Sequence, residues 1–592
     1  MAVDQSPMNK LITEHIDIWT SAVKTRSTSG RGSSKKLELY GVKKLRELIL
    51  ELAVRGKLVP QDPSDEPASV LLERIAEEKK RLVKDKLIPR TKGLPPINED
   101  EIPIDLPNGW TVVRLGELTS KLGSGSTPRG GKNAYTSEGI PFLRSQNVRN
   151  EGIKLDDIAY ISEEIHQKME NTKVLPGDVL LNITGASLGR STIFPSNLVE
   201  ANVSQHVTII RLIESQMNQF IHLGILSPLV QQLVWGRQVG MAIEGLSKKV
   251  LEMFEFPIPP IAEQHRIVAK VDELMALCDQ LEQQTEASIE AHQVLVTTLL
   301  DTLTNSADAD ELMQNWARIS EHFDTLFTTE ESIDQLKQTI LQLAVMGKLV
   351  PQDPSDEPAA ELLKRIAEEK ALLVKEKKIK KQKALPPISG DEKPFELPSS
   401  WEWCRLGQIG YDLGGGTPSK SNSKYWDGEI PWVSPKDMKV DFIESAIDTV
   451  TEKAIKETTI KLIPKNSLLM VVRGMILAHS FPVALTNKDV VINQDMKALV
   501  FSNIDPHYLL TVMKATKTTF TDLVDRSSHG TCKLISEKLW NVTLAIPPLN
   551  EQKKINMMLE QIMDICEQLK QGIRKKYQSQ LHLTDTIVEQ AV

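Results

Sequence analysis

The sequence predicts an α+β protein: two similar globular domains of twisted sheet and short helices, separated by long antiparallel coiled-coil helices and related by a pseudo-twofold internal repeat. Three observations predict it. Gly56 to Ala68, GKLVPQDPSDEPA, returns letter for letter at Gly347 to Ala359, 291 positions later. Long stretches carry apolar residues at alternating steps of three and four, the signature of a helical seam. Between them lie short apolar runs broken by Gly, Pro and Asn, which suit strands of a twisted sheet. A repeat this long is not a solenoid period, so it marks two domain-sized halves built to one plan.

Size and composition narrow the field. A chain of 592 residues has room for about four domains of roughly 150 residues each. With 40% hydrophobic and 25% charged residues it has ordinary globular composition. It lacks an apolar run of about 18 residues, so no membrane span is expected. The opening MAVDQSPMNKLITEH lacks the basic-then-apolar layout of a secretion signal, and a cytoplasmic location is expected. Cys278, Cys404, Cys532 and Cys566 are scattered, which argues against a zinc site and a disulfide framework. A net charge of −8 leaves any nucleic-acid binding to local basic patches.

Along the chain, residues 8–23 read as a short helix and Lys24–Lys36, KTRSTSGRGSSKK, as a flexible loop. A helix over 38–55 follows, with Val42, Leu45, Ile49 and Leu52 on its seam. Ile333, Leu336, Ile340 and Leu343 repeat that seam in a helix over 331–346. Gly56 and Gly347 stand where a helix C-cap glycine belongs. The Pro/Asp-rich signature is then a turn, and a Glu/Lys-rich helix with a solvated face follows over 68–86. LPPI closes the segment in both halves. Trp110 and Trp401 open matched regions with shared landmarks: Thr127-Pro128 and Thr417-Pro418, Ser204-Gln205 and Asn493-Gln494, Ile258-Pro-Pro260 and Ile546-Pro-Pro548. After each diproline stands Glu-Gln and a long helix, over about 263–300 and 551–591. Cys278 and Cys566 hold matching seam positions as small buried hydrophobes. The C-terminal helix has only the N-terminal one as its corresponding partner, so the two chain ends are expected to meet. The predicted divisions are a helical region at 1–105, a first head at 106–262, a central helical region at 263–396, a second head at 397–549 and a terminal helix at 550–592.

The duplicated signature, the duplicated W-x3-RLG, the endings PIPPIAEQ and AIPPLNEQ and the long helix after each resemble the specificity subunit of a type I restriction-modification enzyme. The resemblance spans essentially the whole chain, and the repeat-bearing segment ahead of the first head resembles one subgroup. It implies two target-recognition domains, each reading half of a bipartite asymmetric DNA site. It implies helices that set the spacer and dock two methyltransferase subunits, with restriction/translocase subunits added for cleavage. The chain itself would be non-catalytic and bind no cofactor; S-adenosylmethionine, ATP and Mg would sit on the partner subunits.

Taken alone, the polar loops of each head also read as ordinary sheet-edge loops; it is the resemblance that implies DNA contact there, and side-chain chemistry then picks the candidates. In the first head, Ser126, Thr127, Arg129 and Lys132 in GSGSTPRGGKN suit phosphate contacts, which position without specifying. Arg144, Gln146, Asn147 and Arg149 carry the forked donors and amides that read base edges, and Asn202, Gln205 and His206 form a second polar cluster. In the second head the candidates are Thr417, Lys420, Lys424, Lys436, Asp437, Lys439, Arg473, His479, Asn493 and Gln494, while Trp426 and Trp432 read as core.

Other chemistries lack their motifs. A phosphate loop at Gly125–Asn133 fails, because Ser126 stands where a glycine is needed and Asn133 where Ser or Thr is needed. No adenine-methyltransferase diproline-aromatic run, nucleophile elbow or metal cluster appears. The competing reading is a coiled-coil scaffold whose heads bind protein and read no DNA sequence.

Overall fold

The computed structural model describes residues 7–27, 35–102, 104–238, 245–526 and 532–592. They form two compact units, Met1–Ser288 with Lys576–Val592, and Ile289–Lys575. Each is a sheet-bearing domain joined to helices, the α+β layout expected from the sequence.

The first unit opens with two helices, Pro7–Glu14 and Ile16–Ser21, where a single helix is predicted; His15 between them leaves the helical path at φ −118°, ψ 22°. Lys24–Ser27 and Lys35–Glu38 pair as antiparallel strands, which corrects the flexible-loop expectation at both ends of that stretch. The Lys24 ammonium sits 3.4 Å above the Tyr40 ring and anchors the first strand. Residues 28–34 lie outside the described residues.

Helix α1 (Tyr40–Val54) buries Val42, Leu45, Ile49 and Leu52, the predicted seam, and α2 (Ala68–Lys84) follows the signature turn. The head contains β1 (Thr111–Arg114), β2 (Thr119–Ser124), β3 (Ile140–Leu143), β4 (Val179–Asn182), β5 (Ala201–Val203), β6 (Val207–Leu212) and β7 (Glu255–Ile258). One sheet runs Ser191–Ile193, β4, β6, β2, and another runs Ala159–Ile161, β3, β5, Lys173–Val174. β3 and β5 are parallel, and β7 closes the head on β1. Helix α3 (Ile261–Thr304) leaves the head, and the boundary between units falls within it.

The second unit repeats the plan. Helix α4 (Glu330–Val345) buries Ile333, Leu336, Ile340 and Leu343, and α5 (Ala359–Lys375) follows the second signature. The strands are β8 (Glu402–Arg405), β9 (Gly410–Gly414), β10 (Trp426–Val433), β11 (Leu468–Val471), β12 (Val491–Ile492), β13 (Met496–Phe501) and β14 (Thr543–Ile546), and the last helix is α6 (Leu549–Ala591). Again two strands run parallel, β10 and β12, and β14 closes on β8. A helix at Ala309–Glu321, capped by Asp308, has no counterpart among the predicted elements.

Within each unit a short helix is held by charge pairs to the long ones. Arg46 on α1 reaches Asp279 at 2.8 Å and Glu282 at 2.6 Å on α3. On α4, Lys337 reaches Glu567 at 2.7 Å and Glu330 receives Arg574 at 2.6 Å. The chain ends meet inside the first unit, as expected: Tyr40 donates to Asp585 at 2.6 Å, and Gln580 to Ser21 at 2.8 Å.

The repeated letters form a staple at the base of each head. Gly56 ends α1 at φ +66°, and a Cβ there would lie 2.5 Å from Pro107 Cγ, so glycine is required. Gln61 donates to Glu263 at 3.2 Å, and the Trp110 indole donates to the same carboxylate at 3.1 Å. In the second unit Gln352 donates to Glu551 at 2.7 Å and Trp401 at 3.0 Å. Both glutamates are 1% exposed, and burial pushes their carboxyls up from the ordinary range. The signature turn, the tryptophan and the Glu-Gln after the diproline are therefore one hydrogen-bonded unit. The RLG arginines do similar work for the proline linkers. Buried Arg405 donates to the carbonyls of Pro386 and Pro387 at 3.0 Å each, and Arg114 reaches those of Pro95 and Pro96.

Candidate nucleic-acid interface

Three loops of the first unit are fastened together where β2, β3 and β5 end. Ser126 N donates to Val203 O at 3.2 Å, Gly125 N to Val207 O at 3.0 Å, and Ser204 N to Leu143 O at 2.9 Å. A Cβ on Gly125 would stand 1.8 Å from Val203 O, so only glycine lets these backbones approach so closely. On this platform Thr127 donates its hydroxyl to Gln205 Oε1 at 3.0 Å, and Thr184, just past β4, shares a 2.7 Å hydrogen bond with His206 Nδ1.

The second unit builds the same platform. Gly416 N donates to Ile492 O at 2.9 Å, Asn493 N to Val433 O at 2.9 Å, and a Cβ on Gly415 would stand 1.8 Å from Asn493 O. Thr417 donates to Gln494 Oε1, the counterpart of the Thr127–Gln205 bond. Where the first unit has Thr184 with His206, the second has Arg473, whose guanidinium lies 3.9 Å from Asp495.

Most candidates are available to a ligand. Ser126, Thr127, Arg129, Gln146 and Gln205 are exposed, and Arg144, Arg149 and His206 are half-buried. Arg144 donates from Nη2 to Asp157 O at 2.5 Å, and its buried Nε has no protein partner. In the second unit Thr417, Lys420, Lys424, Lys436, Lys439, Arg473, His479 and Gln494 are exposed. The side chain of Lys132 lies outside the described residues.

Four candidates are turned to structural work instead. Asn147 is 0% exposed; its Oδ1 caps the backbone of Arg144 at 3.0 Å and its amide donates to Lys154 O at 3.0 Å. Asp437 does the same in the second unit, accepting from Ser434 N at 2.8 Å and Ile447 N at 2.9 Å. Asn202 is 0% exposed and donates to Thr172 Oγ1 at 2.9 Å and Met169 O at 3.1 Å. Asn493 is 6% exposed and accepts from Asp495 N at 3.0 Å. Buried Asn147, Asn202 and Asn493 satisfy groups that would otherwise go unpaired and shape the loops, and half-buried Asp437 braces its turn through the same kind of backbone contacts. Asn147 and Asp437 leave Gln146 and Lys436 as the exposed tips of equivalent turns.

Trp432 is 7% exposed, and its indole donates to Gly416 O at 2.9 Å, so it supports the platform from below. Thr184 and Asp495 are missing from the sequence-derived candidates. Register at a shift of 289 finds both: Thr184-Gly185 aligns with the candidate Arg473-Gly474, and Asp495 aligns with the candidate His206. Among the described residues no group of His, Cys, Asp or Glu is arranged to hold a metal ion, and no helix is long and apolar enough to cross a membrane. The platforms thus offer donors, cations and amides for binding.

Comparison with known proteins agrees with this organisation. The sequence profile of the type I restriction modification DNA specificity domain matches residues 107–291 and again 398–577. The EcoEI specificity subunit of Escherichia coli is 41% identical over 99% of this chain and 100% of its own. The EcoAI specificity subunit of Escherichia coli is 40% identical over the same shares of the two chains. A solved chain from a study of complex assembly and conformational transition of the type I R-M system aligns with 82% of this chain and 98% of its own, at 18% identity and a TM-score of 0.47. With a profile matched in both halves and relatives aligned end to end, this chain belongs to the family of type I restriction enzyme specificity subunits.

Proposed function

We propose that this chain is the sequence-reading subunit of a type I restriction-modification complex, and that its two heads, 106–262 and 397–549, each read one half of a bipartite asymmetric site on double-stranded DNA. The observation that carries this reading is a platform built twice with one scaffold and different edges. The Thr–Gln pair recurs in both heads, whereas Gln146 is replaced by Lys436 and the Thr184–His206 pair by Arg473–Asp495. Exposed amides, arginines and lysines are the groups that read base edges and hold phosphates. The helical regions 1–105, 263–396 and 550–592 set the spacer and dock two methyltransferase subunits, and restriction/translocase subunits join them in the cytoplasm. The chain selects the sequence; methyl transfer and cleavage, with S-adenosylmethionine, ATP and Mg, belong to the partners.

Selection of duplexes from a random pool by the chain with its methyltransferase partner, over a salt series, tests this reading. A two-part sequence with a steep salt slope is the expected result. Equal binding of all sequences, or no salt dependence, overturns it in favour of a protein-binding scaffold. Arg144→Ala is expected to relax the preference at one half-site only, and Lys132→Ala to weaken all sequences alike.

A further inference from the structure

The second unit holds two large apolar side chains out into solvent beside its reading platform. After β11 the chain turns at Gly474, at φ +129°, and makes one 3-10 turn, Met475–Ala478. Met475 is 64% exposed and Ile476 43%, while the next residue, Leu477, is 1% exposed and anchors the turn. The turn is fixed in place. Gly474 N donates to Cys532 O at 3.0 Å, Ser480 N to Ile476 O at 2.9 Å, and Arg526 to Ala478 O at 3.2 Å. Two adjacent apolar side chains on a hydrogen-bonded, exposed turn are open to a small apolar group of a ligand.

The first unit makes a 3-10 turn at the matching position without those side chains. Gly185, at φ +69°, begins the 3-10 turn Gly185–Ser187, and Leu188, 5% exposed, is its anchor. The isolated bridges Thr184↔Gly245 and Arg473↔Lys533 put the two turns at the same place on their sheets. Between glycine and anchoring leucine stand Ala186-Ser187 in one unit and Met475-Ile476 in the other. The glycine, the bridge and the anchoring leucine are kept and the tip is changed, as expected where one framework serves two different half-sites.

The surroundings say what the tip meets. Arg473 and His479 flank it, Lys533 stands across the bridge from Arg473, and all three are exposed. Two apolar side chains beside the exposed Arg473 and Lys533 are too small a patch for a protein partner but fit the floor of a DNA groove between phosphates. The apolar group that base edges display in the major groove is the C5-methyl of thymine. We infer that Met475 and Ile476 read thymine in the half-site of the second head by packing against its C5-methyl group. The inference rests on the DNA-reading function proposed above and adds the base it recognises.

The experiment uses the full chain with its methyltransferase partner and the duplex it selects. Each thymine of the half-site read by the second head is replaced in turn by uracil, which removes only the methyl group, and affinity is measured at one salt concentration. One or two positions should lose about fourfold each, the value of one buried methyl. The double variant M475A/I476S, which copies the Ala186-Ser187 tip of the first unit, should bind the thymine duplex weaker by at least the product of those losses. It should also be indifferent to uracil and keep its preference at the other half-site. A half-site with no thymine, wild-type indifference to uracil at every position, or a variant that still discriminates overturns the inference while leaving bipartite reading intact. A pool that enriches no two-part sequence overturns bipartite reading and this inference with it.

Discussion

Thr127 donates its hydroxyl to the side-chain oxygen of Gln205 across two loops 78 residues apart, and Thr417 and Gln494 repeat the bond in the second unit. Both glutamines are exposed, so the bond fixes an otherwise mobile side chain and leaves its amide N–H groups to meet an acceptor. Fixing a donor before binding removes an entropy cost that a free side chain would bear. Thr127→Val should therefore weaken binding at the half-site of the first head by about 1 kcal/mol, roughly fivefold, the net value of one hydrogen bond. Binding at the other half-site should not change. Affinities for duplexes mutated in one half-site at a time check this; equal losses at both half-sites would refute it.

Asn147 and Gln146 are neighbours with opposite roles. Asn147 is buried and caps its own turn, whereas Gln146 is the exposed tip. Asn147→Ala should cost about 1–3 kcal/mol of stability, because it strands the part-buried Arg144 N–H and Lys154 carbonyl. Gln146→Ala should leave stability unchanged and alter base preference. Thermal unfolding alongside duplex selection separates the two, and a stable Asn147→Ala variant with altered preference would reverse the assignment.

These neighbours also show where sequence reasoning stops. Both are amides in one polar loop, and residue type alone says only that each can donate and accept. Burial decides between them, and burial comes from strands paired across the head, such as β3 with β5. Asn202 misleads for the same reason. The duplication is legible because identical letters return at fixed spacing, and the seams of α1 and α4 because heptad periodicity is local. The staple is half legible: Gln61, Trp110 and Glu263 each stand out as repeated, but their convergence on one carboxylate is a long-range contact. Met475 and Ile476 give no signal, since apolar letters after an apolar strand read as more core.

The staple makes a pH prediction. Burial raises the Glu263 carboxyl above the ordinary glutamate range, so the folded state favours its protonated form. Stability from this group is fully present below about pH 4.5, the unfolded value, and is lost as pH rises through the raised folded value. Wild type should therefore gain stability relative to Glu263→Gln as pH falls toward 4.5, and the same comparison at Glu551 should act on the second unit. Denaturant unfolding of each pair across that range is the check; parallel curves would mean that neither carboxylate is strained by burial.

His222 should make the first unit the acid-sensitive one. Burial in the helix Asn218–Leu226 pushes its imidazole down to about 4, and its Nδ1 lies 3.2 Å from Ser191 Oγ. The unfolded chain takes up this proton near pH 6.5 while the folded unit resists it, so stability is lost as pH falls from 6.5 toward 4. At the matching position, in Pro506–Ala515, the second unit has buried Leu510, which does not titrate. Hydrogen exchange at pH 7 and pH 5 should therefore show the 191–193 strand and the 218–226 helix losing protection that 506–515 keeps. In His222→Leu the pH dependence around 218–226 should flatten, at the cost of leaving Ser191 Oγ without its imidazole partner. Equal acid loss in both units of the wild type, or an unchanged slope in the variant, would remove His222 as the cause.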